Sequence, residues 1–411
     1  MTKLLNYCNI NAEKLDYSYL FIYLPTLRQK PFGFCLKLLP KENDNMDNTI
    51  GLYLHIPFCR KKCAYCNFFS RAGSEADYDA YQIQLQQKIK EWGQTASERV
   101  SGVYFGGGTP SILGTERLCA LLGTVKASFA VNADAEVTVE VNPESGGALD
   151  FEKLKAAGFN RVSVGLQSAI PREIQELGRL HTPQEAALTV RLAQKAGIRN
   201  TSLDLMMGIP YQTKDSLRDS IRFCADSGVT HISSYILKVE EGTPLYARRG
   251  QLALPDEDEQ ADLYLSSVAY LEQLGYRQYE ISNFAVPSFE SRHNTLYWRC
   301  GEYIGIGPSA YSFYHGRRFH YESSLQAFGE GRLIDDGEGG SEEEYVMLAL
   351  RLKEGLNYSD YARRFGKPFS ANALEKIKQF ARFGFMELDG ERACFTPKGF
   401  LVSNSILAEL I

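Results

Sequence analysis

The sequence predicts an α/β protein: a parallel sheet covered by helices, arranged as a partial barrel of six βα units, with a small, mainly helical C-terminal domain. Three observations predict it. Short apolar or β-branched segments recur from residue 50 onward with helical segments between them. Nearly every such strand ends in polar or glycine residues, as strands do when their C-terminal ends converge on one site. The rhythm then stops near residue 290, and helical periods dominate from 342.

The first strand is "IGLYLHI" (50–56), followed by a helix over "DYDAYQIQLQQKIKEW" (77–92). "VSGVYF", "EVTVEVN", "RVSVGL", "TSLDLMM" and "HISSYIL" supply five more strands, ending at 105, 142, 166, 207 and 237. The helix at "TPQEAALTVRLAQKAG" carries a capping box, with Thr182 at the N-cap, Pro183 next and Glu185 reaching back. Gly158, Gly197, Gly228 and Gly275 each follow a helical run, where a residue without Cβ can take the left-handed conformation that ends it. A doubly wound open sheet also fits this alternation, but it would spread the strand ends along an edge with a single crevice.

The chain divides at composition changes. Residues 1–45 are rich in Tyr, Leu, Asn and Lys without a sustained period, and read as an atypical extension. Either an ordered arm packing its aromatics or, the favoured reading, an early start codon with Met46 the true start would explain it. Residues 46–290 form the partial barrel, and 291–335 an aromatic and glycine-rich closing segment. Residues 336–411 form the helical domain, reached through the linker-like "IDDGEGGSE" (334–342).

Fifty acidic against forty-five basic side chains give a net charge of -5, which argues against a dedicated nucleic-acid binder. Nine cysteines in 411 residues are too sparse for a disulfide scaffold. No run reaches the roughly 18 apolar residues of a membrane span. These features place the protein in the cytoplasm, with a peripheral role at the inner face of the membrane left open.

The chemistry is concentrated in "LYLHIPFCRKKCAYCNFFS" (52–70). Cys59, Cys63 and Cys66 lie at CxxxCxxC spacing with no fourth cysteine nearby. Structural zinc prefers four protein ligands in paired short spacings, and no second CxxC exists. His55 is the candidate fourth ligand, although its place in an alternating strand suits a core histidine as well. An iron–sulfur cluster fits better, because thiolates are its natural ligands. Three thiolates would leave one iron of a [4Fe–4S] cube open to a small molecule; a [3Fe–4S] cluster stays open as an alternative.

With these residues in view, the chain resembles the radical S-adenosylmethionine (SAM) superfamily over residues 50–411. The resemblance is to the branch related to oxygen-independent coproporphyrinogen III oxidase. "YLHIPFC", "CRKKCAYC", "GGGTPS", "VEVNPES", "RVSVGLQS" and "LDLMMGIPYQT" carry it. The resemblance implies a radical SAM partial barrel whose [4Fe–4S] cluster is held by Cys59, Cys63 and Cys66. It implies that SAM binds the open iron and is cleaved on reduction to a 5′-deoxyadenosyl radical. Gly107, Gly108 and Thr109 match the loop that meets the methionyl amino group. Glu140, Gln167 and Asp204 match the residues around the ribose, and Arg179 matches the one that holds the methionyl carboxylate. Tyr53 and Tyr65 match positions near the cluster. Apart from the resemblance, Glu140 and Asp204 are acids within buried strands and need partners or a ligand.

Two features bear on the substrate. Phe68 stands where the resembling oxidase carries a further cysteine. "RHNTLYW" (292–298) carries the HNxxYW pattern of the haem chaperone branch. There His293 is a candidate axial ligand to haem iron and Tyr297 and Trp298 are candidate stacking partners, although a loop that only packs the barrel's open side fits too. The resemblance therefore implies haem and SAM as ligands and an unidentified reductant. It also implies haem-accepting proteins, membrane-associated ones included, as partners.

Overall fold

The computed structural model describes residues 48–411, so the expectations for residues 1–45 lie outside the described residues. Six strands follow the predicted order: β1 (Thr49–Ile56), β2 (Arg99–Gly107), β3 (Val131–Val141), β4 (Arg161–Gln167), β5 (Asn200–Met207) and β6 (His231–Ile236). Each pairs in parallel with the next. Helices α1 (Glu75–Gly93), α2 (Gly114–Ser128), α3 (Phe151–Ala157), α4 (Pro183–Lys195) and α5 (Lys214–Asp226) lie on the connections. The capping box at Thr182 and Glu185 forms as predicted. Gly158, Gly197, Gly228 and Gly275 all take positive φ.

The strands are not uniformly apolar. Leu52, Leu54, Val103, Phe105, Val139, Val162, Val164, Leu203 and Leu205 are at most 1% exposed and join one hydrophobic core with the helices. The alternate positions are polar or small: Tyr53, His55, Tyr104, Gly106, Thr138, Glu140, Arg161, Ser163, Ser202 and Asp204. Period-2 geometry puts that second set on the opposite face. The sheet curls around it. Tyr104 on β2 and Tyr235 on β6 lie four strands apart, about 19 Å in a flat sheet. Charge on Tyr235 nevertheless raises Tyr104, and charge on Asp204 raises Glu140. A curled, open sheet with a polar inner face is a partial barrel, and the doubly wound alternative is excluded.

The segment after residue 276 is more ordered than its composition suggests. β7 (Arg277–Glu280) and β8 (Asn283–Ala285) form a hairpin antiparallel to β6. β9 (Tyr303–Ile306) runs parallel to β1, and β10 (Tyr311–Tyr314), β11 (Arg317–Tyr321) and β12 (Leu333–Glu338) extend the sheet antiparallel. The sheet order is β12-β11-β10-β9-β1-β2-β3-β4-β5-β6-β8-β7. The predicted linker at 334–342 is thus mostly an edge strand, and the boundary at 335/336 falls inside it. Its acidic side chains suit an exposed edge. "RHNTLYW" is a helix, α6 (Arg292–Trp298), capped by Ser291.

The C-terminal region packs helices around a three-stranded sheet of β13 (Leu356–Asn357), β14 (Met386–Leu388) and β15 (Arg392–Phe395). It includes a helix at Tyr358–Phe365 that the periodicity alone does not reveal. Among the described residues, no helix is long and apolar enough to cross a membrane.

Gly305 sits where β9 meets β10. A Cβ there would come within 2.1 Å of the Tyr311 carbonyl oxygen, a backbone atom that cannot rotate away. Gly305→Ala is expected to lose about 1–3 kcal/mol by overpacking, read as a lower midpoint in urea denaturation. An unchanged midpoint would contradict this pairing.

Candidate functional site

The cysteine loop leaves the C-terminal end of β1 and is tied down along its length. Cys59 N–H donates to the Arg71 carbonyl at 2.9 Å and Arg71 N–H to that of Pro57 at 3.0 Å, closing the loop at its base. Ala64 N–H donates to the Leu177 carbonyl, and Leu245 N–H to that of Ala64, fixing the far side. The three cysteines are free and half-buried. Burial pushes the Cys66 thiol up, and charge on Cys63 and Cys59 adds to the rise, which places the three sulfurs in one electrostatic neighbourhood.

A tetrahedral zinc with Zn–S near 2.3 Å would draw its sulfurs to roughly 3.8 Å apart. Among the described residues, the only His, Cys, Asp and Glu group with all ligand atoms within 4.8 Å of one another is Glu98, Glu302 and His315. The three cysteine sulfurs do not form such a closely spaced group. His55 is not positioned as a fourth ligand. Its Nε2 meets the Phe69 carbonyl at 3.0 Å and its Nδ1 meets the Tyr53 hydroxyl at 3.1 Å. Burial holds its pKa down to about 4. It braces the cysteine loop from the strand below.

The glycine segment after β2 packs directly on this loop. Gly108 N–H donates to the Ile56 carbonyl and Thr109 N–H to that of Phe58, each at 2.8 Å. The Thr109 hydroxyl donates to Cys59 Sγ at 3.4 Å. A Cβ on Gly108 would lie 2.7 Å from the Phe58 carbonyl, and one on Gly107 would lie 2.6 Å from the His55 ring. Gly107 N–H donates to Glu140 at 3.2 Å. The amides of residues 107–109 are therefore engaged, and the segment offers a ligand its carbonyl lone pairs.

Arg179 approaches the loop from the other side. Its guanidinium donates to the Gly165 carbonyl at 2.6 Å, to the Tyr65 hydroxyl at 3.4 Å and to Cys63 Sγ at 3.6 Å. His181, which sequence reasoning passed over, accepts from Arg179 Nε at 3.3 Å and is itself held by the Leu166 carbonyl. Gln167 ends β4 at φ 68° in a register shift. A left-handed non-glycine residue there carries strain of the kind that collects at functional sites.

Glu140 and Asp204 face each other across the inner surface. Glu140 accepts from the Tyr104 hydroxyl at 2.8 Å. Burial pushes its carboxyl up to about 7, opposed by the Tyr104 hydrogen bond and reinforced by charge on Asp204. Asp204 accepts from Ser163 at 3.0 Å and Ser202 at 3.3 Å, and burial raises it as well. Those serines, with Tyr104, were legible only as alternate positions of apolar strands.

Below this layer lies one register row, Tyr53–Tyr104–Thr138–Arg161–Asn200. Thr138 Oγ1, Arg161 Nε and Asn200 Oδ1 are buried without a protein partner, and so is His293 Nδ1 beside the row. An inner face with such atoms suits polar guests, whether water or ligand.

His293 is 4% exposed. It stacks on Tyr104 at 4.7 Å between ring centroids, and its Nε2 lies 2.6 Å from the Tyr297 hydroxyl. Of its two ring nitrogens, Nε2 is taken by Tyr297, while Nδ1 has no protein partner among the described residues. The HNxxYW helix closes the barrel floor. Its amides at Arg292 and His293 donate to Glu136.

The chain matches the radical SAM superfamily over residues 53–224 and the HemN C-terminal domain over 343–402. It is 35% identical to the protein named heme chaperone HemW in Mycobacterium tuberculosis H37Rv, over 88% of this chain and 94% of that one. It is 39% identical to the Escherichia coli K12 protein of that name, over 74% and 83%. It is 33% identical to the Bos taurus mitochondrial radical S-adenosyl methionine domain-containing protein 1, over 88% and 87%. In fold it resembles coproporphyrinogen III oxidase (HemN) of Escherichia coli, with a TM-score of 0.74 at 24% identity over 88% of this chain and 90% of that one.

The chain is thus a member of the radical SAM superfamily. Within it, the protein belongs to the family that joins this barrel to a HemN C-terminal domain, homologous to the HemW proteins.

Glu140 gives a testable pH dependence. Its pKa of about 7 in the fold exceeds the unfolded value of about 4.3. Its contribution to stability is whole below the unfolded value and is lost as pH rises through about 7. Denaturant titrations should show the wild type losing on the order of 2–3 kcal/mol across that range relative to Glu140→Gln. Glu280, also raised to about 7 by burial, is present in both proteins and cancels in the difference. Parallel pH profiles would contradict the assignment.

Proposed function

We propose that this protein is a haem chaperone, which binds haem and a SAM-ligated [4Fe–4S] cluster and transfers haem to acceptor proteins. The observation that carries the reading is Phe68, 53% exposed in the cluster loop where the resembling oxidase has a further cysteine. Relatives that match over most of both chains bear the chaperone name, which supports it.

In this reading Cys59, Cys63 and Cys66 hold three irons. Thr109 and Arg179 tune them by hydrogen bonds to Cys59 and Cys63, since donors to thiolate sulfur stabilise its charge. Arg179 presents a planar fork suited to the methionyl carboxylate. Glu140, Gln167 and Asp204 line the strand ends where ribose hydroxyls would be received, and Tyr53, Tyr65, Gly107 and Gly108 border the same mouth. When bound, the cluster supplies one-electron reduction of SAM. His293, whose Nδ1 has no protein partner among the described residues, is the candidate axial ligand to haem iron. The proposal places the protein in the cytoplasm, with haem proteins at the membrane among its recipients.

Anaerobically reconstituted protein should bind haem stably and should not convert coproporphyrinogen III when given SAM and a reductant. Protoporphyrinogen formation at catalytic rates would replace this reading with the oxidase. Cys63→Ala should fail to assemble a full cluster by iron analysis; a full complement of iron would overturn the ligand set.

A further inference from the structure

The outer face of the cysteine loop carries an unbalanced charge. Arg60, Lys61 and Lys62 are consecutive and exposed. Among the described residues they make no hydrogen bond or ion pair, while neighbouring acids are taken by other cations. Asp77 pairs with Arg71 at 3.2 Å, and Glu176 with Arg248 at 3.1 Å. The chain as a whole is at -5, so this local positive charge runs against the overall sign.

Two exposed apolar side chains belong to the same rim. Phe68, 53% exposed, is two residues after Cys66. Leu180, 54% exposed, follows the Leu177–Gly178 turn, whose backbone packs on Ala64 in the middle of the cysteine loop. An apolar contact bordered by uncompensated charge is the make-up of a transient protein interface, in which the charge steers the encounter.

We propose that this rim is the docking surface for a small, acidic one-electron carrier protein that reduces the cluster. The inference rests on the cluster reading above. The place of the patch selects this partner. Arg60 is adjacent to Cys59, and Lys62 to Cys63, so each Cα is about 3.8 Å from that of an iron ligand. A protein seated on these residues brings its redox centre toward the cluster by the shortest path. On a chain of opposite overall charge, this face offers an acidic partner a local attraction. With a flavin carrier the step balances as one electron. The anionic hydroquinone becomes the neutral semiquinone, the [4Fe–4S] cluster goes from 2+ to 1+, and no proton moves between them.

The test uses a flavodoxin as probe with the full, reconstituted chain. Calorimetry with oxidised flavodoxin and stopped-flow reduction by its hydroquinone are compared between wild type and Arg60→Glu/Lys61→Glu/Lys62→Glu. Affinity and rate should fall about tenfold or more and lose their salt dependence, while dithionite reduces both proteins equally. Equal affinity and rate in the two proteins would overturn the proposal. So would wild-type binding to phosphatidylserine vesicles or to RNA with none to flavodoxin. Should the triple variant lose iron, Lys61→Gln/Lys62→Gln and Phe68→Ser, which each should weaken flavodoxin binding, decide the question in its place. Failure of the wild type itself to hold a cluster would refute the cluster reading, whereas the calorimetric comparison judges the docking surface separately.

Discussion

The site depends on one seam: the glycine segment after β2 lies against the entry to the cysteine loop. The parallel pairing of β1 and β2 continues past the end of the sheet, through Gly108 to Ile56 and Thr109 to Phe58. This continuation leaves no room for side chains, which is why Gly107 and Gly108 stand there. It carries the cysteine loop as an extension of the barrel wall rather than as a free surface loop. Thr109 and His55 then fix the loop's orientation from inside.

The second constraint is the division of the sheet into two faces. The outer face is apolar and buries against helices, which supplies stability. The inner face accumulates acids, serines, tyrosines and a buried arginine, each expensive to bury without partners. The partners come from several strands at once: Ser163, Ser202 and Tyr104 serve the two carboxylates. Curling the sheet brings these groups together, so the same geometry that closes the core builds the polar mouth. The candidate site residues then lie at strand ends, where loops can vary without disturbing the wall.

Much of this was legible in the sequence, for identifiable reasons. The six parallel strands stood out because their outward residues are β-branched or leucine and their helices carry readable caps, as at Thr182. The cysteine spacing was legible because all three residues fall within one short loop. The strand beside β1 was not legible, because "YIGI" is four residues long and gains its pairing from a distant strand. The edge strand at 333–338 was hidden by acidic and glycine residues suited to a solvent-facing border. His293 carried a motif but not its depth. Burial against Tyr104 and Tyr297 depends on where the helix docks, and periodicity does not encode that. Tyr104 acts on Glu140 from a neighbouring strand, which no local signal marks, whereas His181 lies two residues from Arg179 and was within reach of a local reading.

The central claim is that three cysteines on a braced loop leave one iron open for SAM. Electron paramagnetic resonance of the reduced, anaerobically reconstituted protein, recorded with and without SAM, tests it most directly. The account predicts a [4Fe–4S]+ signal whose g-values shift when SAM is added, because the added ligand binds the cluster itself. A zinc-loaded, spectroscopically silent protein, or a cluster signal that SAM leaves unchanged, would contradict it.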